Sequence, residues 1–295
     1  TSSMDYTYNS SDIKFTELKI TETGQVFGGG IIGGWSASGE QTITGCENKG
    51  WVYTKSSAGD LAAADSDALP KYWSCFAGIA GMGAGTSESL GSSWYTITGK
   101  TFTNCTNTGT VRIYAALRSC IAGVVAYTEN NPDGCVSTAA DIRPYLTGGI
   151  AKVGDNYHRN ICGGVVGLCT ASKVSNLKST AKIVSQSSSP FAYTGGIIGY
   201  VPAGSIELEN CKVSNWVQAA GSGDGRSAVM CHVAQNAVTV TFTNCVIKSG
   251  TVSYSTGKKV TISSDSAVTA VQCVGNGSNV TITDDVLPTV ASSID

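Results

Sequence analysis

The stretch Gly195-Gly196-Ile197-Ile198-Gly199-Tyr200, followed shortly by Leu208-Glu209-Asn210-Cys211, decides the fold of this 295-residue chain, because both halves recur along it. The first half returns as Gly30-Ile31-Ile32-Gly33, Gly78-Ile79-Ala80-Gly81, Gly123-Val124-Val125-Ala126, Gly164-Val165-Val166-Gly167 and Ala228-Val229-Met230-Cys231. A faded copy is Ala270-Val271-Gln272-Cys273. The second half returns as Ile43-Thr44-Gly45-Cys46, Phe102-Thr103-Asn104-Cys105, Pro132-Asp133-Gly134-Cys135, Val174-Ser175-Asn176-Leu177 and Phe242-Thr243-Asn244-Cys245. First halves start at 30, 78, 123, 164, 196, 228 and 270, so the steps are 48, 45, 41, 32, 32 and 42 residues. A shortest step of 32 with longer ones beside it describes a fixed unit carrying insertions.

The residue before the cysteine is Gly45, Asn104, Gly134, Asn176, Asn210 or Asn244. Glycine and asparagine are the residues that most readily accept positive φ, so this column predicts a left-handed corner repeated once per unit. Asparagines stacked at such a corner can hydrogen-bond along the stack. A turn, rather than a reactive site, accounts for the column.

Charged residues make up only 14 % of the chain against 41 % hydrophobic, and glycine numbers 36. That composition suits short strands and tight corners. Segments such as Thr239-Val240-Thr241-Phe242 and Val280-Thr281-Ile282-Thr283 interleave β-branched and polar residues, as strands do. The net charge is -2 with dispersed Lys and Arg, which argues against nucleic acid as a partner. No run of about 18 apolar residues offers a membrane span. Thr1-Ser2-Ser3 lacks the features of an export signal, so the chain is either cytosolic or has had its signal or anchor removed. The Ser-, Thr-, Gly- and Asn-rich composition points to the second, an extracellular or cell-surface protein.

Eleven cysteines would suggest a disulfide framework in a small secreted domain. Here Cys46, Cys105, Cys135, Cys211 and Cys245 share one column with Leu177, so the slot is apolar and faces inward. Parallel stacked side chains seldom reach disulfide dihedrals, and buried free thiols acting as small hydrophobes are expected.

A unit of this size cannot bury its own apolar side chains, so copies must stack. A third extended segment follows each corner, as in Asn107-Thr108-Gly109-Thr110-Val111, Ser249-Gly250-Thr251-Val252, Lys49-Gly50-Trp51-Val52 and Ala181-Lys182-Ile183. Three strands and three corners per turn predict an all-β chain forming a right-handed parallel β-helix (β-solenoid) of about seven to nine coils. It is one domain over 1–295, with a cap segment at 1–27, main repeats at 28–252, and a degenerate repeat and cap at 253–295. The string Gly195-Gly196-Ile197-Ile198-Gly199-Tyr200, with Asn104-Cys105-Thr106-Asn107-Thr108-Gly109-Thr110-Val111, resembles the GLUG-motif repeat of bacterial cell-surface proteins described as adhesins. The resemblance covers about Gly28 to Val252 and implies an extracellular, non-enzymatic β-solenoid with no catalytic residues to carry over.

Neighbours on a strand point to opposite faces, so the pairs Ile31/Ile32, Val124/Val125, Val165/Val166 and Ile197/Ile198 cannot all point inward. Either the chain covers the outer residue or an apolar stripe is open to a partner, and cover is the expected case. Two insertions, residues 56 to 74 and 83 to 98, could supply it. They carry the aromatic pairs Tyr72-Trp73 and Trp94-Tyr95. These rings either plug the solenoid or stack on sugar faces, and they are the candidate ligand-binding residues.

Other chemistry is sparse. Asp60, Asp65 and Asp67 match no calcium loop, and Asp284-Asp285 and Glu207 with Glu209 read as solvated carboxylates. His158 and His232 lie in no metal or triad signature, and His232 takes the column of Tyr127, Leu168 and Tyr200. Cys162 and Cys169 lack zinc spacing, so no metal, cofactor or catalytic residue is expected. Threonine pairs such as Thr42/Thr44, Thr101/Thr103 and Thr241/Thr243 resemble ice-binding arrays but do not recur in every unit. The leading expectation is a non-enzymatic surface adhesion or binding protein whose rigid scaffold presents loops to a glycan or a host or cell-surface protein. The alternative is a polysaccharide lyase or glycoside hydrolase of the parallel β-helix class, which needs paired carboxylates or a basic proton acceptor.

Overall fold

The computed structural model of the protein describes residues 3–5, 8–9, 11, 13–16, 26–33, 40–55, 73–81, 100–114, 118–145, 152–153, 156–157, 159–187, 191–221, 226–233, 238–255, 258–261, 281–283 and 288–295. They form an all-β parallel solenoid with no helix among the described residues. No helix there is long and apolar enough to cross a membrane.

One turn shows the plan. Lys173–Ser175 lies in sheet A, Lys178–Ser179 in B, Ile183–Ser187 in C, Phe191–Gly195 in D and Ile198–Val201 in E. Each strand pairs in parallel with its equivalent one turn away, as in Val174↔Leu208 in A and Ile161↔Tyr193 in D. Sheets B and C have eight strands each and D has six; sheet A is continuous through single bridges at Asp133. The last strand of C, Lys258–Thr261, turns back antiparallel on Val252–Ser255. At the N-terminal end, the segment expected as a cap carries the first rung: Ser3–Asp5, Tyr8–Asn9 and Ile13–Thr16 pair with the next turn.

Each turn therefore has five strand segments, where three were expected. The chain bends at Gly196-Ile197, splitting the Gly-rich motif into the end of a D strand and the start of an E strand. The bend breaks the alternation of faces, so Val124/Val125, Val165/Val166 and Ile197/Ile198 are all fully buried. The expected outer residue needing cover does not exist in these three turns.

D and E thus form an arch driven into the trough made by A, B and C. Three apolar clusters result. Ile43, Phe102 and Leu208 of A meet Val125, Val166 and Ile198 of E; Val111, Ile142 and Ile183 of C meet Phe76, Ile121 and Cys162 of D; and Cys75, Cys120 and Ile161 of D meet Tyr127 and Leu168 of E. The arch tip packs on B, where a Cβ at Gly78, Gly123 or Gly164 would strike Asn107, Ser137 or Ser179. The same Cβ would strike the tip carbonyl of the next turn: Gly164 meets Gly196, and Gly196 meets Val229. Glycine is required here by stacking. Val229 stands in this column because Ala228 pairs with Gly195 and Cys231 with Ile198, one residue out of step with the sequence alignment. Among the described residues no D or E strand stacks beyond it.

At the A–B corner, Gly45, Asn104, Gly134, Asn176, Asn210 and Asn244 have φ of 63°, 53°, 63°, 56°, 51° and 52°. Asn210 Nδ2 donates to Asn176 Oδ1 at 3.1 Å, and Asn176 Nδ2 to Asp133 Oδ1 at 2.7 Å. A second, buried ladder runs inside sheet B, where Asn48 Nδ2 donates to Asn107 Oδ1 at 2.7 Å. The ten described cysteines are buried free thiols. Burial pushes Cys169 up to about 12, burial with the nearby Asp141 charge raises Cys162 well above 9.0, and burial with the neighbouring Cys75 does the same for Cys120. Cys135 is raised by its hydrogen bond to Cys105 and by burial, and Cys211 by its hydrogen bond to Cys245 and by burial.

Two outcomes follow from this packing. Gly164→Ala costs about 3 kcal/mol in urea unfolding by overpacking the arch tip. Gly204→Ala, at φ 86° with nothing within 4 Å, costs only about 1 kcal/mol of backbone strain. Equal losses would contradict the stacking constraint. Second, a thiol with a raised folded pKa binds more protons in the native state, so its stabilisation is complete below the unfolded value of 9.0 and is lost as pH rises towards 12. For Cys169 the three-unit difference amounts to about 4 kcal/mol at the limit. Urea midpoints should fall steadily between pH 9 and 11, and Cys169→Ala should flatten the fall.

Candidate functional site

Sheet C presents the most differentiated surface. Its strands carry aligned triplets: Trp51-Val52-Tyr53, Thr110-Val111-Arg112, Asp141-Ile142-Arg143, Lys182-Ile183-Val184 and Trp216-Val217-Gln218. The register Val52↔Val111↔Ile142↔Ile183↔Val217 stacks the middle residues into a fully buried column. Strand alternation then puts both flanks on the opposite face, where Thr110, Asp141 and Val184 are buried and the others partly or fully exposed. One outer column runs Trp51, Thr110, Asp141, Lys182 and Trp216. The other runs Tyr53, Arg112, Arg143, Val184, Gln218 and Tyr254.

Trp51 is 44 % exposed, the only large hydrophobic residue so open among those described. The Arg112 guanidinium carbon sits 5.5 Å from its ring centre, and Tyr53 meets the ring edge-on at 6.3 Å. Asp141 is buried between two arginines. Its Oδ2 accepts from Arg112 Nε at 2.8 Å, and its Oδ1 from Arg143 Nη2 at 3.0 Å and Nε at 3.2 Å. This carboxylate holds both guanidinium planes against the sheet and so fixes the cation over Trp51. Four turns away, Trp216 Nε1 donates to Gln218 Oε1 at 2.8 Å and locks the second indole. The result is a rigid strip of aromatic faces and fork-shaped donors, suited to flat, hydroxylated ligands.

A different set lies on the outer face of sheet A. Lys173 Nζ reaches Glu207 at 3.5 Å and Glu209 at 3.0 Å, and Thr243 Oγ1 donates to Glu207 at 3.2 Å. Both carboxylates alternate along one strand and share one lysine, rather than facing each other across a scissile bond. The Lys173 ammonium is held above its usual range chiefly by its hydrogen bond to Glu209, the opposite of what a proton-abstracting base needs. Threonines on this face stack as Thr42↔Thr101 and Thr241↔Thr283, but Asp133, Lys173, Glu207 and Glu209 stand between the pairs.

Of the aromatic residues singled out from sequence, Tyr72, Trp94 and Tyr95 lie outside the described residues. Trp73 begins the D strand Trp73–Ala77, with its side chain outside the description. Asp60, Asp65, Asp67, His158, Asp284 and Asp285 are likewise outside. His232 is buried and stacks on Tyr193 at 4.7 Å and on Tyr200 at 5.7 Å, two rings that also stack on each other at 5.0 Å. Among the described residues no group of three or more His, Cys, Asp or Glu is placed to hold a metal ion. Sequence reading passed over Trp51, although lining up the apolar middle of each third segment would have put it beside Arg112 and Asp141. No family model, curated protein or solved structure matches the chain.

Asp141→Ala leaves two guanidiniums without their shared carboxylate and is expected to cost about 2 kcal/mol in urea unfolding, discounted from a fully buried pair because Arg112 is 34 % exposed. Asp141→Asn, which keeps the shape and two acceptor lone pairs, should cost less. Loss of near-ultraviolet circular dichroism from Trp51 should accompany the alanine variant only.

Proposed function

We propose that the protein is a non-enzymatic, bacterial cell-surface binding protein of the adhesin type, in which a rigid solenoid holds a glycan-recognition strip along the outer face of sheet C. The observation that carries this reading is Trp51, an exposed indole with an arginine fixed over it, on a sheet whose other described large apolar residues are buried or only partly exposed. Large aromatics are costly to leave in water without a partner, and an indole face paired with oriented donors fits the alternating C–H and hydroxyl surface of a sugar. The GLUG-type resemblance of the arch motif supports an extracellular setting for a solenoid of this kind. It also supports binding over hydrolysis, as does the Lys173, Glu207 and Glu209 set, whose members are committed to one another.

Recognition by a strip of this design is additive along the rungs. A glycan microarray probed with the whole chain, then repeated with Trp51→Ala, tests it. The indole contributes about tenfold or more to affinity for any bound glycan. Binding that survives Trp51→Ala unchanged would place recognition elsewhere, and hydrolysis or eliminative cleavage of any glycan on the array would favour the enzyme reading.

A further inference from the structure

Sheet C's outer face departs from the rest of the molecule in charge. Between Trp51 and Trp216, Arg112, Arg143 and Lys182 lie in its two columns with one carboxylate, Asp141, giving 3 − 1 = +2 among the described residues of that strip. The whole chain carries -2. The three cations occupy consecutive turns, about 4.8 Å apart along the solenoid axis, with Arg112 and Arg143 in one column and Lys182 in the other, two residues across the strand. Trp51 stands at one end of these turns and Trp216 at the other, one turn beyond Lys182.

Asp141 neutralises only one of the two guanidiniums it touches. Its bond to Arg112 is made through Nε, and the terminal nitrogens of Arg112 make no hydrogen bond to that carboxylate. Arg112 is 34 % exposed, and Lys182 is exposed on the same face. A neutral glycan would need the aromatic platforms but not this excess charge. Cations on three successive turns between two indoles are complementary to a chain that repeats a negative charge at short intervals while offering apolar ring faces.

Resting on the glycan-binding reading above, we propose that the strip takes an anionic polysaccharide, one whose sugars carry carboxylate or sulfate groups, laid along the axis from Trp51 to Trp216. Arg112, Arg143 and Lys182 meet its acidic groups, and the two indoles meet ring faces at the ends. An extended segment of several sugars spans this distance, so short oligosaccharides bind weakly and longer ones gain by simultaneous contact.

Calorimetric titration of the whole chain with oligogalacturonate, its fully methyl-esterified form and heparin tests the inference. The ester keeps the sugar and removes the charge. At least one acidic probe is expected to bind about tenfold tighter than the ester, and to lose that advantage when salt rises from about 50 mM to about 500 mM. Lys182→Gln, a change at an exposed side chain, should weaken the acidic probe about threefold and leave the ester unaffected. Equal binding of acid and ester overturns the charge inference and leaves the glycan reading standing. If neither these probes nor any neutral glycan on the array binds, both fail, and a protein ligand for the strip becomes the account to test.

Discussion

The structure depends on the absence of a side chain at the arch tip. Gly30, Gly78, Gly123, Gly164 and Gly196 stack so closely that a Cβ on any of them would strike the tip carbonyl of the next turn. That closeness lets the D–E arch reach sheet B, and reaching sheet B divides one wide trough into narrow spaces that ordinary side chains can fill. The cysteines fit the same constraint, being small apolar fillers in slots where Leu177 is also accepted.

The wedge also explains why sheet C is a suitable place for recognition. Its inner column of Val52, Val111, Ile142, Ile183 and Val217 is clamped on D, which fixes strand position and twist. Flanking residues are then placed at rung spacing with little freedom, and Asp141 adds a second clamp on two arginines. A preorganised row of this kind loses little conformational entropy when a ligand arrives. Sheet A has the opposite character, since its charged groups satisfy one another across the rungs at Lys173, Glu207 and Glu209.

Much of this was legible in the sequence. The Gly/Asn column specified a backbone conformation, and all six residues adopt it, because φ above zero is a local preference that stacking does not override. Parallel stacking followed from a unit too short to bury itself. The bend at Gly196-Ile197 was not legible, because a run of two apolar residues between glycines fits a straight strand as well as a corner; only the clash of Cβ with the next turn selects the corner. The aromatic and arginine strip of sheet C was hidden for a related reason. Trp51, Arg112, Asp141 and Trp216 lie up to 165 residues apart, from 51 to 216, and each alone is an ordinary polar or aromatic flank. Insertions of unequal length obscure the register that makes them neighbours.

Photo-crosslinking with a diazirine-bearing oligogalacturonate, followed by peptide mapping, tests the central claim most directly. Labelling at Trp51–Tyr53, Arg112 and Lys182 is the predicted result, with competition by unlabelled acid. Labelling concentrated instead on Ser205–Glu209 of sheet A, or within residues 56–72 and 83–98, would contradict the assignment of recognition to sheet C.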